Sequence, residues 1–420
     1  DARDLLRLRS LADGRLGDPV ELPRAVVTTL VAELRITIDE LPWPMNAHTD
    51  LLDFPGARSR YKLPELPEPG VTTGADEQSR AGLVLELLLR GKIAYVDFGQ
   101  MHAMQDGSGY GPQTRVRGAG PGVAAAKGAV AFILRSVGSD ENRLPHTGTT
   151  QYVDGKATVP AFALSAPDAD QVSRLTAMGE PVRLRLKSTA RTFETRSQNV
   201  IGDLPGAERP DEVIVLGSHM DSWDQGTGAI DDAAGGGITL AAAKAIVDSG
   251  RRHARTIRVI LYGSEEVAQP TRETGNGGGV YARNQGAALD KHIIAGESDF
   301  GADRVYALRL PAGAQGSDFQ KAANRVLYPI GVLASQQVET SGGVDIGPMG
   351  PLGVPFFGLA QDGTRYFDLH HTANDTLDKI DPAQLSQNVA AWAGLVWLIA
   401  DSDVDFRAMR PAGAPGSTGR

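Results

Sequence analysis

The stretch from Val213 to Gly237 carries the side chains whose types and spacing point most clearly to chemistry. Its short apolar run, Val213 to Leu216, is typical of a buried strand and leads to His219 and Asp221, then to a glycine-rich loop and the pair Asp231-Asp232. This order places an imidazole and several carboxylates at the carboxyl end of a strand, where open α/β sheets bind ligands. Because a histidine among carboxylates suits zinc or a similar divalent cation, the stretch predicts a hydrolytic metal site.

Further candidate ligands follow downstream, each just past a strand-like run or in a loop. Glu265-Glu266 follows the β-rich run 256–262, Asp299 follows the run 292–296, and His370-His371 opens a polar segment. Each has a simpler alternative when taken singly: Glu265-Glu266 could be a solvated turn, Asp299 a helix cap and His370-His371 a surface pair. Asp231-Asp232 could likewise simply begin a helix. Together, in this order and at strand ends, they favour one assembled site.

Four motifs, HMDSWDQGTGAIDDAAG, SEE, ESD and HHTANDT, occur in this order from His219 onwards. The set resembles the co-catalytic dizinc aminopeptidase and carboxypeptidase family, and within it the plasma glutamate carboxypeptidase (carboxypeptidase Q) type. The resemblance extends from about Leu11 to Asp401. It implies an α/β fold with a mixed central sheet flanked by helices and an inserted protease-associated-like domain.

The resemblance also implies a ligand set for two zinc ions, whose places cobalt or manganese could take. His219 and Asp299 would bind one ion, Glu266 and His371 would bind the other, and Asp231 would bridge both. The peptide bond from Asp231 to Asp232 is expected to be cis in such a site.

Three more residues receive roles by the same resemblance, and a fourth, Asp345, is considered because a free substrate amine needs a nearby carboxylate. Asp221 would accept a hydrogen bond from the far nitrogen of His219 and fix its tautomer, and Glu265 would be the general base. Relatives often place a tyrosine near the last histidine ligand, and here His370 is the candidate donor to the oxyanion. Asp345 is the candidate for binding a free substrate amine, with a simple turn residue as the alternative.

The leading functional hypothesis is a metal-dependent exopeptidase acting on dipeptides or on the N-terminal residues of short peptides. An amidohydrolase acting on N-acylated amino acids would keep both metals and stays open. A glutaminyl cyclase-like enzyme would use a single metal, and a non-catalytic binding module would have lost ligands. The complete ligand set argues against these last two alternatives.

Composition limits the remaining classes. A net charge of −9 disfavours nucleic acid as a partner, and no apolar run approaches the length of a membrane span. The chain has no cysteine, so a thiol nucleophile and cysteine-ligated zinc are excluded, and it has no GxSxG or P-loop motif. It begins at Asp1 without methionine or a signal-type stretch, as either a processed secreted form or a shortened sequence would. Because the family type that the chain resembles is typically exported, we expect an exported protein, periplasmic or extracellular, with a short peptide substrate and a homodimer left open.

Along the chain we expect residues 1–50 and 190–405 to form the catalytic domain and 50–190 the protease-associated-like insert, followed by a disordered tail at 406–420. Within these, the patterns predict a helix over 18–34, a strand at 36–38, an alternating strand at 182–187 and an exposed glycine loop at 276–279. The polar segment 267–276 departs from the family pattern. Residues 382–399 are predicted to form a final helix with a core-facing stripe.

Overall fold

A computed structural model describes residues 9–11, for which only the backbone is described, and residues 89–151, 158–178, 182–267 and 275–409. The chain divides into two compact units, Asp1–His102 with Gly109–Thr192, and Ala103–Ser108 with Phe193–Arg420. The predicted helix at 18–34, the predicted strand at 36–38 and most of the divergent segment 267–276 lie outside the described residues. No helix in the described part of the chain is long and apolar enough to cross a membrane.

The first unit contains a four-stranded sheet in the order β1-β2-β3-β4. Its elements are β1 (Arg9–Leu11), β2 (Ile93–Val96), α1 (Tyr110–Ala126), β3 (Ala131–Arg135), β4 (Ala161–Leu164) and α2 (Ala166–Ala177). Strand β1 is antiparallel to β2, and the other neighbours are parallel. The pairing of β1 puts it in this unit, whereas the sequence assigned residues 1–50 to the catalytic domain. For the rest of 1–50, and for the protease-associated-like identity of 50–190, the assignments stay predictions.

The predicted strand at 182–187 is wrong, because these residues have no strand assignment. Val182 is nevertheless buried, and Leu184 and Leu186 pack against the core cluster around Tyr95 and Ile133. The alternation of apolar residues therefore records one buried side of an extended segment and does not require a pairing partner.

The second unit is built on a four-stranded mixed sheet in the order β5-β7-β6-β8. Its strands are β5 (Val200–Leu204), β6 (Arg209–His219), β7 (Arg255–Tyr262) and β8 (His292–Glu297). Strand β6 pairs in parallel with β7 and β8, and β5 is antiparallel to β7. The predicted mixed central sheet is thus confirmed, and the carboxyl ends of β6, β7 and β8 meet at one edge.

Helices and a second, three-stranded sheet complete this unit. The helices are α3 (Ala234–Asp248), α4 (Gly277–Gln285), α5 (Asp318–Leu327), α6 (Tyr366–Leu369) and α7 (Pro382–Asp401), and the sheet has the order β10-β9-β11 with β9 (Val305–Leu310), β10 (Leu333–Val338) and β11 (Gly358–Gln361). Apolar residues of β6 alternate between two core clusters, one containing Ile214 and Leu216 and the other Val213 and Val215. Both faces of β6 are therefore covered, as buried parallel strands require, whereas the edge strand β5 is largely exposed.

The final helix matches its prediction. Pro382 stands at its first turn, the Asp381 carboxylate accepts a hydrogen bond from the Ala383 N–H at 2.8 Å, and Trp392, Val396 and Ile399 are fully buried. Beyond it, residues 406–409 form a short 3₁₀ helix. Phe406 is buried there and packs edge-to-face on Phe319 with ring centroids 5.0 Å apart. The predicted disordered tail is therefore wrong for 406–409, since an aromatic anchor orders them, and 410–420 lie outside the described residues.

Candidate metal centre

His219 is the last residue of β6, and its side chain is buried. Its Nδ1 lies 2.8 Å from the backbone carbonyl oxygen of Asp221. Because a carbonyl oxygen only accepts hydrogen bonds, Nδ1 carries a proton, so Nε2 is the nitrogen that would present its lone pair to a cation. The tautomer is therefore fixed by the main chain of Asp221 and not by its carboxylate, which approaches His219 no closer than 3.8 Å.

The Asp221 carboxylate has a different task. Its two oxygens accept hydrogen bonds from the backbone N–H groups of Glu265 and Glu266, each at 3.0 Å. These residues follow β7 in a turn in which Ser264 adopts a φ of 66°, an unusual conformation for a residue with a side chain. Asp221 thus ties the loop after β6 to the glutamate pair after β7.

Asp231 lies at the middle of the cluster. Its Oδ1 is 3.2 Å from His219 Nε2, and its Oδ2 is 3.1 Å from His371 Nε2. The peptide bond to Asp232 is cis, as the resemblance predicted. Asp232 turns away from this centre and accepts hydrogen bonds from the N–H groups of His219 and Gly235, at 3.2 and 3.0 Å.

Asp299 and Glu266 complete the cluster on opposite sides of Asp231. Asp299 Oδ1 lies 3.3 Å from His219 Nε2, and Glu266 Oε2 lies 3.1 Å from His371 Nε2. The ligand atoms of His219, Asp231 and Asp299 lie within 4.8 Å of one another, and so do those of Asp231, His370 and His371. The structure therefore brings all five predicted ligands together, with Asp231 shared between two groups.

The donor set fits divalent cations. In the described residues, Asp231 Oδ2, Glu266 Oε1 and Asp299 Oδ1 are buried and receive no hydrogen bond of acceptable geometry. Buried carboxylate oxygens are costly without a partner, and here several of them converge in one place. Cations held by these atoms would remove this penalty, and imidazoles among carboxylates suit zinc, cobalt or manganese.

The electrostatics of the cluster agree. Burial, reinforced by the charge of Asp299, raises the pKa of Glu265 to about 10. Burial opposes the charged form of His371, but hydrogen bonds to Asp231 and Glu266 raise its pKa to about 9. Without a cation, the raised pKa values mean that these side chains bind extra protons, which reduces the repulsion between the carboxylates. This behaviour is expected of a site that binds cations.

His370 lies against His371 and not in a separate position. Their rings stack with centroids 3.5 Å apart and planes inclined by 15°, and His370 Nε2 is 3.4 Å from Asp231 Oδ2. Its placement beside the ligands is compatible with either a further ligand or a donor to substrate, so the predicted oxyanion role stays a prediction.

Asp345 is buried near the same sheet edge, and one of its carboxylate oxygens already has partners. Its Oδ1 accepts hydrogen bonds from the Gly278 N–H at 3.2 Å and from the Asn276 side-chain amide at 3.4 Å, while Oδ2 has no partner among the described residues. Burial raises its pKa to about 8. The glycine run at 276–279, predicted as an exposed loop, is instead the start of α4: Asn276 caps Gly279 N–H at 2.9 Å. A Cβ at Gly278 would lie 2.0 Å from the Asp345 carbonyl, so this glycine permits close packing.

Two residues with a direct influence on the cluster were given no such role by the sequence. The Trp223 indole N–H donates to Glu266 Oε2 at 2.6 Å. Asp375 accepts a hydrogen bond from the Ile230 N–H through Oδ1 at 2.5 Å, and its carbonyl accepts one from Thr227 N–H at 2.8 Å. The signal for Asp375 was its place in the HHTANDT motif, five residues from His370.

Comparison with known proteins gives a consistent result. The family model for peptidase family M28 matches residues 199–396, and a family model for a proposed bacterial virulence factor matches residues 1–103. Carboxypeptidase Q from Mus musculus is 34% identical over 294 residues, which cover 69% of this chain and 60% of the relative. The Homo sapiens protein of that name is 32% identical over 293 residues, with the same coverage. The match thus spans about 60% of the length of these curated relatives.

A solved structure extends this similarity to the fold. The crystal structure of a peptidase M28 precursor from Shewanella amazonensis shares 45% sequence identity with this chain, with a TM-score of 0.70. The match covers 76% of this chain and 70% of that one.

Proposed function

Because the chain belongs to peptidase family M28, we propose that it is a metal-dependent exopeptidase that hydrolyses dipeptides or the N-terminal residues of short peptides. The observation that carries this proposal is the position of Asp231, whose two carboxylate oxygens face two different imidazoles, those of His219 and His371. A carboxylate shared in this way can hold two cations side by side.

Two divalent ions would be held by His219 with Asp299 and by Glu266 with His371, with Asp231 common to both. Bound there, zinc ions would polarise the scissile carbonyl and lower the pKa of the attacking water. Cobalt or manganese could use the same donor set.

Glu265 is the residue best placed to move protons. One of its carboxylate oxygens lies within 4.8 Å of a ring nitrogen of His219 and of a carboxylate oxygen of Glu266. Its backbone N–H donates a hydrogen bond to the Asp221 carboxylate, which holds the backbone in place. Glu265 would accept the proton of the attacking water and deliver it to the leaving amine. A glutamate with a raised pKa suits this exchange, because it can both take and release a proton near neutral pH once cations have lowered its pKa.

His370 and Asp345 would act on the substrate. His370 is the proposed donor to the developing oxyanion, since it stacks on His371 and lies beside Asp231. Asp345 offers an unsatisfied buried oxygen, Oδ2, to a free substrate amine. A homodimer and export to the periplasm or exterior stay predictions.

The proposal is tested with Glu265→Gln, which keeps the size of the side chain and removes its capacity to accept a proton. We expect kcat for a dipeptide panel to fall by at least 100-fold while bound metal stays near two ions per chain. The matched control is Glu208→Gln, the same change at an exposed position. Full activity in Glu265→Gln would refute the assigned proton transfer.

Metal content and substrate choice separate the alternatives. Elemental analysis after zinc reconstitution is expected to give two ions per chain, whereas one ion would favour a cyclase-like site and none a binding module. A blocked substrate distinguishes the amidohydrolase: N-acetylated amino acids cleaved faster than the free dipeptides would replace the exopeptidase proposal.

A further inference from the structure

A cavity of about 350 Å³ opens beside the metal centre within the second unit. We call it the Arg309 cavity; its wall includes Asp299, Arg309, Glu339, Phe357 and Leu359. Because Asp299 belongs both to this wall and to the candidate ligands, a group bound in the cavity lies next to the reacting bond of a substrate. The volume is at the lower end of the range of small-molecule sites, enough for one amino-acid residue.

Apart from Asp299, which belongs to the candidate metal ligands, the carboxylates of this wall accept hydrogen bonds from backbone N–H groups. Glu297 accepts three hydrogen bonds, from Val344 and Asp345 at 3.0 Å and from Ile346 at 2.7 Å. A Cβ at Gly343 would come within 2.3 Å of Glu297 Oε1, so only glycine lets the chain pass this close.

Glu339 and Asp106 are matched in the same manner. Glu339 Oε1 accepts from a run of N–H groups that includes those of Thr340 and Ser341, at 3.1 and 3.2 Å. Asp106 accepts from the Ser108 N–H at 3.1 Å. These acids therefore stabilise the loops around the cavity and have less need of a cationic ligand.

Arg309 is different. It lies on β9 opposite Gly358 of β11 and is half-buried. In the described part of the chain no carboxylate lies within ion-pair distance of it, and its buried Nε has no hydrogen-bond partner. The nearby Asp106 has its pKa lowered mainly by hydrogen bonds from Ser108, and the charge of Arg309 adds only a smaller part. Other half-buried arginines of this unit are paired: Arg258 with Asp203 at 2.7 Å, for example. A guanidinium without a partner at a cavity wall is matched best by a carboxylate, which can accept two of its N–H groups at once.

We propose that the Arg309 cavity receives a carboxylate of the substrate and that Arg309 binds it. The carboxylate is either the free C-terminal group of a dipeptide or the side chain of an acidic residue next to the scissile bond. Phe357 and Leu359 supply apolar wall for the aliphatic part of that residue. This inference rests on the proposed function, since it takes the neighbouring metal centre as the reaction site, and it names the substrate class of that site.

The experiment measures binding separately from turnover. Dipeptide analogues with a CH₂–NH group in place of the scissile amide are titrated calorimetrically into zinc-reconstituted protein. One pair, Ala-Leu and Ala-Leu-amide, tests the C-terminal carboxylate. A second pair, Ala-Glu-amide and Ala-Gln-amide, tests the side chain, and Ala-Lys-amide tests the opposite charge.

We expect the carboxylate member of at least one pair to bind about tenfold or more tightly than its neutral counterpart. The pair that discriminates identifies the source of the carboxylate. In Arg309→Met the preference is expected to vanish, and in Arg309→Lys to be partly kept. Arg325→Gln, the loss of one exposed positive charge on α5, is expected to leave it unchanged.

Three results would overturn the inference: no preference for a carboxylate, a preference that survives in Arg309→Met, or tightest binding of the lysine analogue. Hydrolysis of the corresponding true peptides is measured in parallel. A carboxylate preference that depends on Arg309, with no hydrolysis of any peptide, would support the Arg309 cavity and reject the exopeptidase proposal. Hydrolysis of the peptides without a carboxylate preference would support the exopeptidase proposal and reject the role of the Arg309 cavity.

Discussion

The indole N–H of Trp223 donates a hydrogen bond to Glu266 Oε2 at 2.6 Å. That oxygen also lies 3.1 Å from His371 Nε2, and the Trp223 ring lies 5.5 Å from the His371 ring between centroids. One residue of the loop after β6 therefore contacts both candidate ligands of the second ion. Contacts of this kind orient metal ligands and are worth about 10–100-fold in metal affinity or activity.

Trp223→Phe keeps an aromatic ring beside His371 and removes only the N–H donor. We expect the affinity for one of the two proposed zinc ions to fall about tenfold, because Glu266 loses the bond that orients it. Competition with a chromophoric chelator measures this. Trp397→Phe, which alters a tryptophan of α7 packed against the core, is the control and should leave zinc affinity unchanged. Equal affinities in Trp223→Phe and wild type would show that the hydrogen bond has no influence on the site.

The positions of the candidate ligands could be predicted because strong local patterns surround them. The apolar run that ends at His219 is a strand of the sheet core, and its end lies where parallel neighbours also end. Identity and spacing did not reveal which atom of Asp221 contacts His219, since a backbone carbonyl and a carboxylate two residues away are equally consistent with the sequence.

The errors arise where long-range packing decides. The glycine run that contains Gly278 was predicted to be an exposed loop, yet it lies in the first turn of α4. Because Gly278 has no side chain, the backbone of Asp345 can pack closely against this turn. Phe406 lies in a Pro- and Gly-rich tail that is typical of disorder, but Phe319 gives it a partner 87 residues away along the chain. Arg309 carried no motif at all, and only the folded wall of a cavity makes its lack of a carboxylate partner visible.

The two contacts of Asp221 can be separated by Asp221→Ala. The substitution keeps the backbone carbonyl, so we expect His219 to retain the proton on Nδ1, measured from ¹⁵N chemical shifts of the imidazole. It removes the acceptor for the N–H groups of Glu265 and Glu266, so kcat should fall about 10–100-fold as the proposed general base, Glu265, is displaced. A change of tautomer in Asp221→Ala would restore the carboxylate to the role first predicted.

Zinc binding should release protons at pH 7. In the metal-free protein the pKa of His371 is about 9, because hydrogen bonds to Asp231 and Glu266 outweigh its burial, so the ring is protonated at pH 7. A ligand nitrogen must give up that proton, and His219, whose pKa is raised by Asp299 despite burial, must do the same. We expect at least one proton released per chain, obtained from calorimetric titrations in buffers of different ionisation enthalpy. Enthalpies that do not depend on the buffer would contradict this protonation state.

A second pH effect lies far from the metal centre, at His292. This residue begins β8, is buried, and its Nε2 lies 2.6 Å from the Tyr281 hydroxyl. Burial lowers its pKa to about 4 in the folded protein, against about 6.5 in an unfolded chain. Between these values the unfolded chain binds more protons, so the stability from neutral His292 is complete above about pH 6.5 and is lost as pH falls towards 4. The shift corresponds to about 3 kcal/mol.

We therefore expect the free energy of unfolding to fall more steeply from pH 7 to pH 4.5 in wild type than in His292→Gln, which can still accept a hydrogen bond from Tyr281 but does not titrate. Urea denaturation followed by tryptophan fluorescence, on chelator-treated protein at both pH values, measures the difference. His102→Gln, at an exposed histidine, should keep the wild-type dependence. Because the metal ligands are the same in all three proteins, their own titration cancels in the comparison. If the free energy of unfolding falls by the same amount in wild type and in His292→Gln, protonation of the buried imidazole does not destabilise the fold, and the prediction is wrong.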